Sequence, residues 1–443
     1  MYAHILSYIF PAARMAFLVT LLCLGVVREG YGQQAMERVY ADGQSNTTLI
    51  GGFINDAAKA HDHDIFSYST IGVALAGSVR QELIFSQEVS GNIPVRIKIG
   101  TGTNILSLLS GISVQAFLGN TAIGTPQTLN NLITLLSGAD QAEVIIIPSS
   151  TYDRVRISTS GIALGGGLNI YEAYYYRTAT SVICDQPIDI LYGTNGAILG
   201  GLNIVQNPAL AIDGNITTAA VLNGTANLAN KTHLTSLYSS HSQAGDSVRV
   251  IFRNPGGLLQ ANLLSTSFSI RTYNDNQSNG PLALDQSILK LSLLAGSSNI
   301  QVLTYPVNAV FNRVEISLGS GLLNALQQLE VYEIQRVIRA PEITAPSISE
   351  GAVSACEDES ISLSIVSPTS GYEYRWYTVA EGGSPVVTST SYTTPSLVFG
   401  TTYTYYVSAS LTGCLDESAR NKIVVNVLPQ PGKPHLTITD IQN

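Results

Sequence analysis

Residues 152–158, YDRVRIS, recur with changes as residues 311–317, FNRVEIS. Both stretches alternate apolar and polar residues, which is typical of a β-strand with one face against a core. Two further pairs of segments keep the same order, VRIKI at 95–99 with VRVIF at 248–252 and LNIYE at 168–172 with LEVYE at 329–333. Their offsets grow from 153 to 161 residues, far longer than the about 20–50 residues of a solenoid repeat. The sequence therefore predicts two tandem copies of an antiparallel β-sandwich domain.

The composition agrees with an all-β protein. Charged residues make up 12% of the 443 residues, against about 25% in a typical soluble domain, and 45% are hydrophobic. The chain can therefore build real cores, and its 39 Gly and 22 Tyr suit short strands joined by tight turns. A formal net charge of −9 excludes nucleic acid as the partner, because nucleic-acid binding requires a basic surface.

The N-terminus resembles a cleaved secretory signal. Arg14 precedes an apolar run over residues 16–27, and Gly30 and Gly32 place small residues before a cut at Gln33. The apolar run is shorter than the about 20 residues that span a bilayer, and no later segment is long and apolar enough to do so. We expect residues 1–32 to be removed and the protein to be secreted or displayed at the cell surface.

The rest of the chain divides into domains where the amino-acid composition changes. A polar segment rich in Thr, Asn and Gly separates the two copies, with room for one strand around 188–191, and a proline-flanked stretch at 340–346 follows the second copy. The expected units are repeat 1 at 33–176, a linker at 177–202, repeat 2 at 203–338, a third domain at 339–430 and, at 431–443, a tail or the start of a further module.

One loop in each copy suggests a family. The stretch AIDGNITT at 211–218, together with the LEVY ending at 329–332, resembles the discoidin-like, galactose-binding-fold jelly rolls, which include many carbohydrate-binding modules. The resemblance implies two tandem jelly-roll β-sandwiches. It departs from the family pattern where Ala220 and Ser69 stand at the position of a tryptophan.

The same resemblance implies a structural Ca²⁺ in each copy, since oxygen-rich loops suit this ion. Carried over position by position, the ligands are Asp213, Asn215, Thr218 and Glu330 in repeat 2, and Asp62, Asp64, Ser67 and Asn169 in repeat 1. A tight turn alone also favours Asp-Gly-Asn, so the turn interpretation stays open beside the metal.

No catalytic set emerges from the sequence. His61 and His63 flank Asp62, but Zn²⁺ needs further ligands and the remaining histidines are isolated in sequence. Repeat 2 keeps the acidic pattern and drops both histidines, which favours a solvated loop. Paired carboxylates or a Ser–His–Asp set are likewise not recognisable, and we predict a protein that is not an enzyme.

The C-terminal segment resembles a second family. Its markers are YEYRWY at 372–377, GG at 382–383, SYTTP at 391–395, TYTYYV at 402–407 and GC at 413–414. This order is similar to the Ig-like modules of exported proteins from Bacteroidetes-type bacteria. It implies a third β-sandwich with Trp376 in its core and Tyr374 alternating inward beside it.

The cysteines left after signal removal are Cys184, Cys356 and Cys414. An exported protein meets an oxidising space, so we predict a Cys356–Cys414 disulfide and a buried thiol at Cys184. The strand directions expected for an Ig-like sandwich could place Cys356 and Cys414 at opposite ends. A Cα separation beyond about 7 Å would exclude the bond.

These observations predict an exported, non-enzymatic binding or adhesion protein whose partner is an extracellular polysaccharide or a cell-surface or matrix component. The alternative is the carbohydrate-binding, non-catalytic part of a larger secreted polysaccharide-degrading enzyme. Residues 174–176, YYY, are the one aromatic cluster of repeat 1, and they suit either a sugar platform or packing between domains.

Overall fold

The computed structural model describes residues 34–74, 76–101, 111–129, 141–162, 167–195, 205–224, 231–258, 268–283, 290–319, 328–430 and 432. The expected signal segment lies outside these ranges, as does nearly all of the tail, and both stay predictions. The described residues are dominated by β-strands, with short 3-10 helices at Ala57–His61 and Pro208–Ala211. None of the helices in these ranges is long and apolar enough to cross a membrane.

The first sandwich packs two antiparallel sheets face to face. Its strands are β1 (Met36–Tyr40), β2 (Gly43–Thr48), β3 (Gly52–Asn55), β4 (Ser69–Val73), β5 (Ala76–Val89), β6 (Val95–Gly100), β7 (Ile112–Leu118), β8 (Thr121–Thr128), β9 (Gln141–Ile146), β10 (Tyr152–Ile162) and β11 (Leu168–Thr178). One sheet has the order β3-β4-β11-β6-β9 with β1 also paired to β11, and the other has the order β2-β5-β10-β7-β8. Val155 and Ile157 of β10 point into the core, as their alternation predicts.

The second sandwich repeats this arrangement. Its strands are β12 (Asp189–Asn195), β13 (Val205–Gln206), β14 (Ala220–Asn223), β15 (Lys231–Leu237), β16 (Ser247–Arg253), β17 (Phe268–Asn274), β18 (Gln277–Pro281), β19 (Lys290–Leu293), β20 (Gln301–Pro306), β21 (Arg313–Gly319) and β22 (Gln328–Val337). The sheet orders are β12-β15-β21-β17-β18 and β13-β14-β22-β16-β20-β19. These orders match those of the first sandwich, except that β19 is added at one edge and β1 has no counterpart. The tandem jelly rolls are therefore confirmed.

The third domain is a smaller sandwich. Its strands are β23 (Ile343–Thr344), β24 (Ala352–Cys356), β25 (Ser362–Ile365), β26 (Tyr372–Tyr377), β27 (Val387–Thr388), β28 (Ser391–Thr393), β29 (Thr402–Leu411) and β30 (Asn421–Leu428). The sheet orders are β23-β25-β28 and β24-β30-β29-β26-β27, and β24 runs parallel to β30. Trp376 is fully buried and Tyr374 lies beside it in the core, as the Ig-like pattern predicted.

The segment between the jelly rolls contributes to structure on both sides. The strand expected around 188–191 is β12, which pairs with β15 along its whole length. Residues 179–184 instead pack on the third domain, where Ser181 and Val182 both donate backbone hydrogen bonds to the Gly413 carbonyl. Gly413 has a φ of +88°, and a Cβ there would lie 2.5 Å from the Ala179 carbonyl oxygen, so only glycine fits this contact.

The predicted Cys356–Cys414 disulfide is wrong. Cys414 is bonded to Cys184, with a Cα–Cα distance of 5.7 Å, and Cys356 is free. Cys356 ends β24 while Cys414 follows the far end of β29, so strand direction separates them. The disulfide therefore joins the connector to the third domain instead of stapling that domain internally.

Candidate functional site

The loop after each 3-10 helix closes on its own aspartate. In the first copy the Asp62 carboxylate accepts hydrogen bonds from the Ser67 hydroxyl at 2.6 and 2.8 Å and from the Asp64 amide at 3.0 Å. Asp64 in turn accepts from the backbone amide of Phe66 at 3.0 Å. The three loop residues predicted from the sequence are therefore brought together in one turn.

The second copy repeats the pattern. Asp213 accepts from the Asn215 amide at 2.9 Å and from the Thr218 hydroxyl at 2.7 Å. The Asn215 side chain accepts from the Thr217 amide at 3.0 Å. The hydrogen-bonded positions are i, i+2 and i+5 in both copies, so the position-by-position correspondence of the two loops has a physical basis.

The fourth predicted ligand has another partner in each copy. Glu330 forms an ion pair with Arg253 at 2.5 and 2.7 Å, and the side-chain hydrogen bond from Arg253 holds its pKa below the ordinary value. Asn169 accepts a hydrogen bond from the Thr70 hydroxyl at 2.9 Å. In each copy this partner, Arg253 or Thr70, lies outside the turn that the aspartate closes.

Instead, a glutamate three residues later takes this place. Glu333 is fully buried beside the loop, where the backbone N–H groups of Gly214 and Asn215 favour its charged form. Its Oε1 receives no hydrogen bond from the described residues. Burial first, and then the negative charge of Asp213, raise the pKa of Glu333 to about 7. Two carboxyl groups in this position call for a proton or a cation between them.

In the first copy the equivalent glutamate is Glu172. It is also buried, and burial followed by the charge of Asp189 raises its pKa to about 7, against the opposing charge of Arg38. Here a cation is built into the protein. Lys98 donates from Nζ to the Ile65 carbonyl of the loop at 2.8 Å.

A metal therefore fits the second copy better than the first. The residue that pairs with Glu333 across the strands is Ile251, whereas the one that pairs with Glu172 is Lys98. The second loop thus combines carboxylate, amide and hydroxyl oxygens with no basic side chain at the Lys98 position. This donor set, Asp213, Asn215, Thr218 and Glu333, is the kind that Ca²⁺ accepts.

A buried group of charges joins the two jelly rolls around Lys98. Asp189 of the second sandwich accepts from Lys98 at 2.7 Å and from Arg38 at 2.9 Å, and Arg38 also contacts Glu172 at 3.3 Å. All four side chains are almost completely inaccessible to solvent. Although burial disfavours its charge, Lys98 and Arg38 hold the pKa of Asp189 below the ordinary value.

A second group of charges lies beside the first. Glu143 of the first sandwich pairs with Arg96 at 2.9 Å and with Arg313 of the second sandwich. Arg96 extends the network to Asp275, also of the second sandwich, at 2.9 Å. Each group balances two cations with two carboxylates. Because breaking one buried pair leaves an uncompensated charge, these contacts fix the relative position of the two sandwiches.

The tyrosine cluster belongs to this interface. Tyr174 is fully buried, and its hydroxyl donates a hydrogen bond to the Glu143 carboxylate. The Arg38 guanidinium carbon lies 3.8 Å from the centre of the Tyr174 ring. Of the two interpretations of residues 174–176, packing between domains is therefore the one that the structure supports for Tyr174.

A comparison with known protein families matches the C-terminal part of the chain. Residues 344–429 match the family model for the Ig-like domain that is described as CHU_C associated. They form the third sandwich, so an Ig-like module follows the two jelly rolls. No curated protein matches the chain.

Three solved structures illustrate the likeness of the jelly rolls. A fucolectin from striped bass (Morone saxatilis) serum is 12% identical, with 67% of this chain and 98% of that chain covered at a TM-score of 0.22. The CBM32-1 and CBM32-2 domains of Clostridium perfringens ZmpB are 8% identical, with 70% and 93% covered at a TM-score of 0.22. The family 32 carbohydrate-binding module of C. perfringens NanJ, in complex with galactose, is 15% identical, with 32% and 100% covered at a TM-score of 0.21. The fold assignment rests on the strand order of the chain itself.

Proposed function

We propose that this protein is an exported, non-catalytic binding protein. Its two jelly rolls hold an extracellular polysaccharide or a cell-surface or matrix component, and the Ig-like module spaces and attaches them. Export rests on the N-terminal sequence and on the Cys184–Cys414 disulfide, a bond that persists in oxidising compartments.

The observation that carries the proposal is the buried network between the jelly rolls. Lys98, Asp189, Glu143 and Arg313 meet at a boundary between domains, and each is neutralised by a partner across that boundary. Such charges do not act as acids, bases or nucleophiles on a substrate, since solvent and substrate do not reach them. They make the two sandwiches one fixed scaffold, which suits a binding surface composed of both.

We include a calcium ion in the proposal, held in the second loop by Asp213, Asn215, Thr218 and Glu333. When bound, the ion would neutralise the adjacent carboxylates of Asp213 and Glu333. The protein residues hold the loop in shape through the hydrogen bonds at 2.7 and 2.9 Å on Asp213. The role of the ion is to stabilise the fold, and no chemical step is assigned to it.

The test is a binding screen with the secreted protein. Insoluble cellulose and chitin, soluble galactan and xylan, and a glycan array are probed with Ca²⁺ and with EDTA. Saturable binding to a defined polysaccharide supports the proposal. Binding to none of them, and to no extracellular material of the producing cells, contradicts it.

The alternative is that the chain is the carbohydrate-binding part of a larger polysaccharide-degrading enzyme. The native protein distinguishes the two, because it can be recovered with an antibody against this chain and its mass measured. A species much larger than 47.1 kDa that releases reducing sugar from the bound polysaccharide favours the enzyme. A species that binds the polysaccharide without releasing sugar favours adhesion.

A further inference from the structure

A cleft of about 680 Å³ opens between the two jelly rolls, apart from both aspartate loops. The first sandwich supplies the end of the β5–β6 turn, the beginning of β6 and the end of β11, and the second supplies the segment after β15 and the β17–β18 turn. The lining residues that matter below are Asn92, Ile93, Pro94, Arg96, Tyr176, His241 and Asp275. This volume lies within the range of small-molecule sites, about 300–1,000 Å³.

The fixed charges of the cleft are neutralised by one another. Arg96 donates to Glu143 and to Asp275, both at 2.9 Å. Arg177, at the rim, pairs with Glu37 at 2.6 Å. Hence both arginines among the described lining residues already have a carboxylate partner, and the cleft is unsuited to an anionic ligand.

Polar groups with remaining hydrogen-bonding capacity face the same space. Asp275 Oδ1 already accepts from Arg96 and Asn312, whereas Oδ2 lies 3.7 Å from His241 Nε2. That distance is too long for a hydrogen bond between the two side chains. A hydroxyl group placed there can donate to the carboxylate and accept from the imidazole. Asn92, exposed across the cleft, adds an amide that both donates and accepts.

The opposite wall is apolar. Ile93, Pro94 and the half-buried ring of Tyr176 provide a surface for C–H groups. Neutral sugars combine these two demands, because hydroxyls lie at the edges of the ring and C–H groups on its faces. We propose that this cleft binds a neutral oligosaccharide, held by Asn92, His241 and Asp275 against the apolar wall.

The site is composite, since neither jelly roll forms it alone. Its geometry depends on the Arg96–Asp275 pair, which crosses from one sandwich to the other. Asp275 has a φ of +52°, a left-handed conformation that a turn must hold in place for a non-glycine residue. The turn is stabilised by Asn312, which donates to Asp275 Oδ1 at 2.9 Å and accepts from the Asp275 amide at 2.7 Å. This inference rests on the proposed binding function and specifies its ligand class and its place.

The experiment titrates the full secreted chain with cellobiose, lactose, maltotriose and xylobiose by calorimetry, with trigalacturonic acid as the anionic comparison. The variants are His241→Ala and Asn92→Gly. Asn92 has a φ of +68°, so glycine removes the amide without straining the backbone. Ser347→Gly is the matched control, because its φ is +58° and it lies in the third domain. Hydrogen exchange at 92–96 and 239–241 is followed with and without the tightest sugar.

We expect one of the neutral oligosaccharides to bind and to protect these two segments. Each cleft variant should weaken its affinity by about five- to tenfold, the effect of one lost hydrogen bond, and Ser347→Gly should leave it unchanged. The inference is overturned if no neutral oligosaccharide binds, if trigalacturonic acid binds more tightly, or if both variants bind as the wild type does. If the variants lose nothing while polysaccharide binding persists, the cleft fails and the proposed function stands. If no polysaccharide or cell-surface material binds either, both fail.

Discussion

Asp189→Asn is the sharpest test of the buried network between the jelly rolls. Asp189 is fully buried and accepts from Lys98 at 2.7 Å, from Arg38 at 2.9 Å and from its neighbouring amide of Ile190 at 2.7 Å. Asparagine keeps the shape and removes the charge, so two buried cations face only Glu172. Removing one partner of a buried pair costs about 3–5 kcal/mol. For domains of this size that loss corresponds to a fall in Tm of about 6–20 °C.

The assay is differential scanning calorimetry of the whole chain, because jelly rolls held together by the network should unfold in one transition. The matched control is Asp56→Asn, which removes the carboxylate of an exposed Lys59–Asp56 pair at 3.1 Å. Exposed pairs contribute about 0–1 kcal/mol, so this control should melt almost as the wild type does. A Lys98→Met, Asp189→Leu double variant should be more stable than Asp189→Asn, since no lone charge remains. Equal melting of Asp189→Asn and Asp56→Asn would refute the reasoning.

Three further expectations concern the disulfide, the metal loop and pH. Cys414→Ser should lower the Tm of the third domain, followed by the fluorescence of its single tryptophan, by the equivalent of about 2–5 kcal/mol, and Cys356→Ser should not. Chelation by EDTA should lower the Tm of the wild type and of Glu330→Gln alike, while Glu333→Gln should no longer respond, because only the latter loses a calcium ligand. The pKa of Asp189 is lowered in the folded state. The stability that its charge contributes is therefore complete above the unfolded pKa, near 3.9, and is lost as the pH falls further. We expect the Tm to decrease when the pH falls below about 4, and to decrease less in Asp189→Asn.

Each of these expectations has an outcome that contradicts it. Destabilisation by Cys356→Ser equal to that by Cys414→Ser would argue against the interdomain bond. A melting curve unchanged by EDTA would contradict the proposed calcium site. An acid transition of the same size in the Asp189→Asn variant would show that other carboxylates, not this one, carry the pH dependence.

The sequence predicted two β-sandwiches because strand alternation is a local property, and the resemblance to a family implied that they are jelly rolls. Val155 and Ile157 point inward for the same reason as Val314 and Ile316, and each pair is buried in its own core. The Ig-like module was predicted because the order of its motifs resembles a family, and Trp376 is buried in the core as that resemblance implies.

The candidate site could be predicted only in part, because a β-bulge changes which side chains of the last strand face the loop. The aspartates of the loops could be found because Asx turns depend on neighbours two to five residues away. In the last strand of each sandwich the register shifts, between Ile170 and Glu172 in the first and opposite Ile251 and Phe252 in the second. The fourth ligand was assigned through the family resemblance, which gave Glu330. A bulge turns the following side chains to the opposite face of the strand, so alternation alone could not place Glu333 beside the loop.

Long-range partners could not be derived from the sequence at all. Cys184 and Cys414 are 230 residues apart, and their pairing depends on how the third domain docks on the connector. The pairing of Lys98 with Asp189 likewise depends on the orientation of two separately formed sandwiches. Because the sequence carries no information on how the sandwiches dock, Lys98 and Asp189 are indistinguishable from ordinary polar residues of a strand.

The Cys184–Cys414 bond also determines how the molecule carries mechanical load. If the chain is pulled from its two ends, tension passes from residue 184 directly to residue 414 through the sulfurs, and the second jelly roll and most of the third domain lie on a bypassed loop. The 230-residue separation corresponds to about 80 nm of extended chain that is withheld while the bond is intact. Single-molecule stretching should release that length only after reduction. A protein anchored at one end and attached at the other would thus keep the second jelly roll folded even when the first jelly roll has yielded.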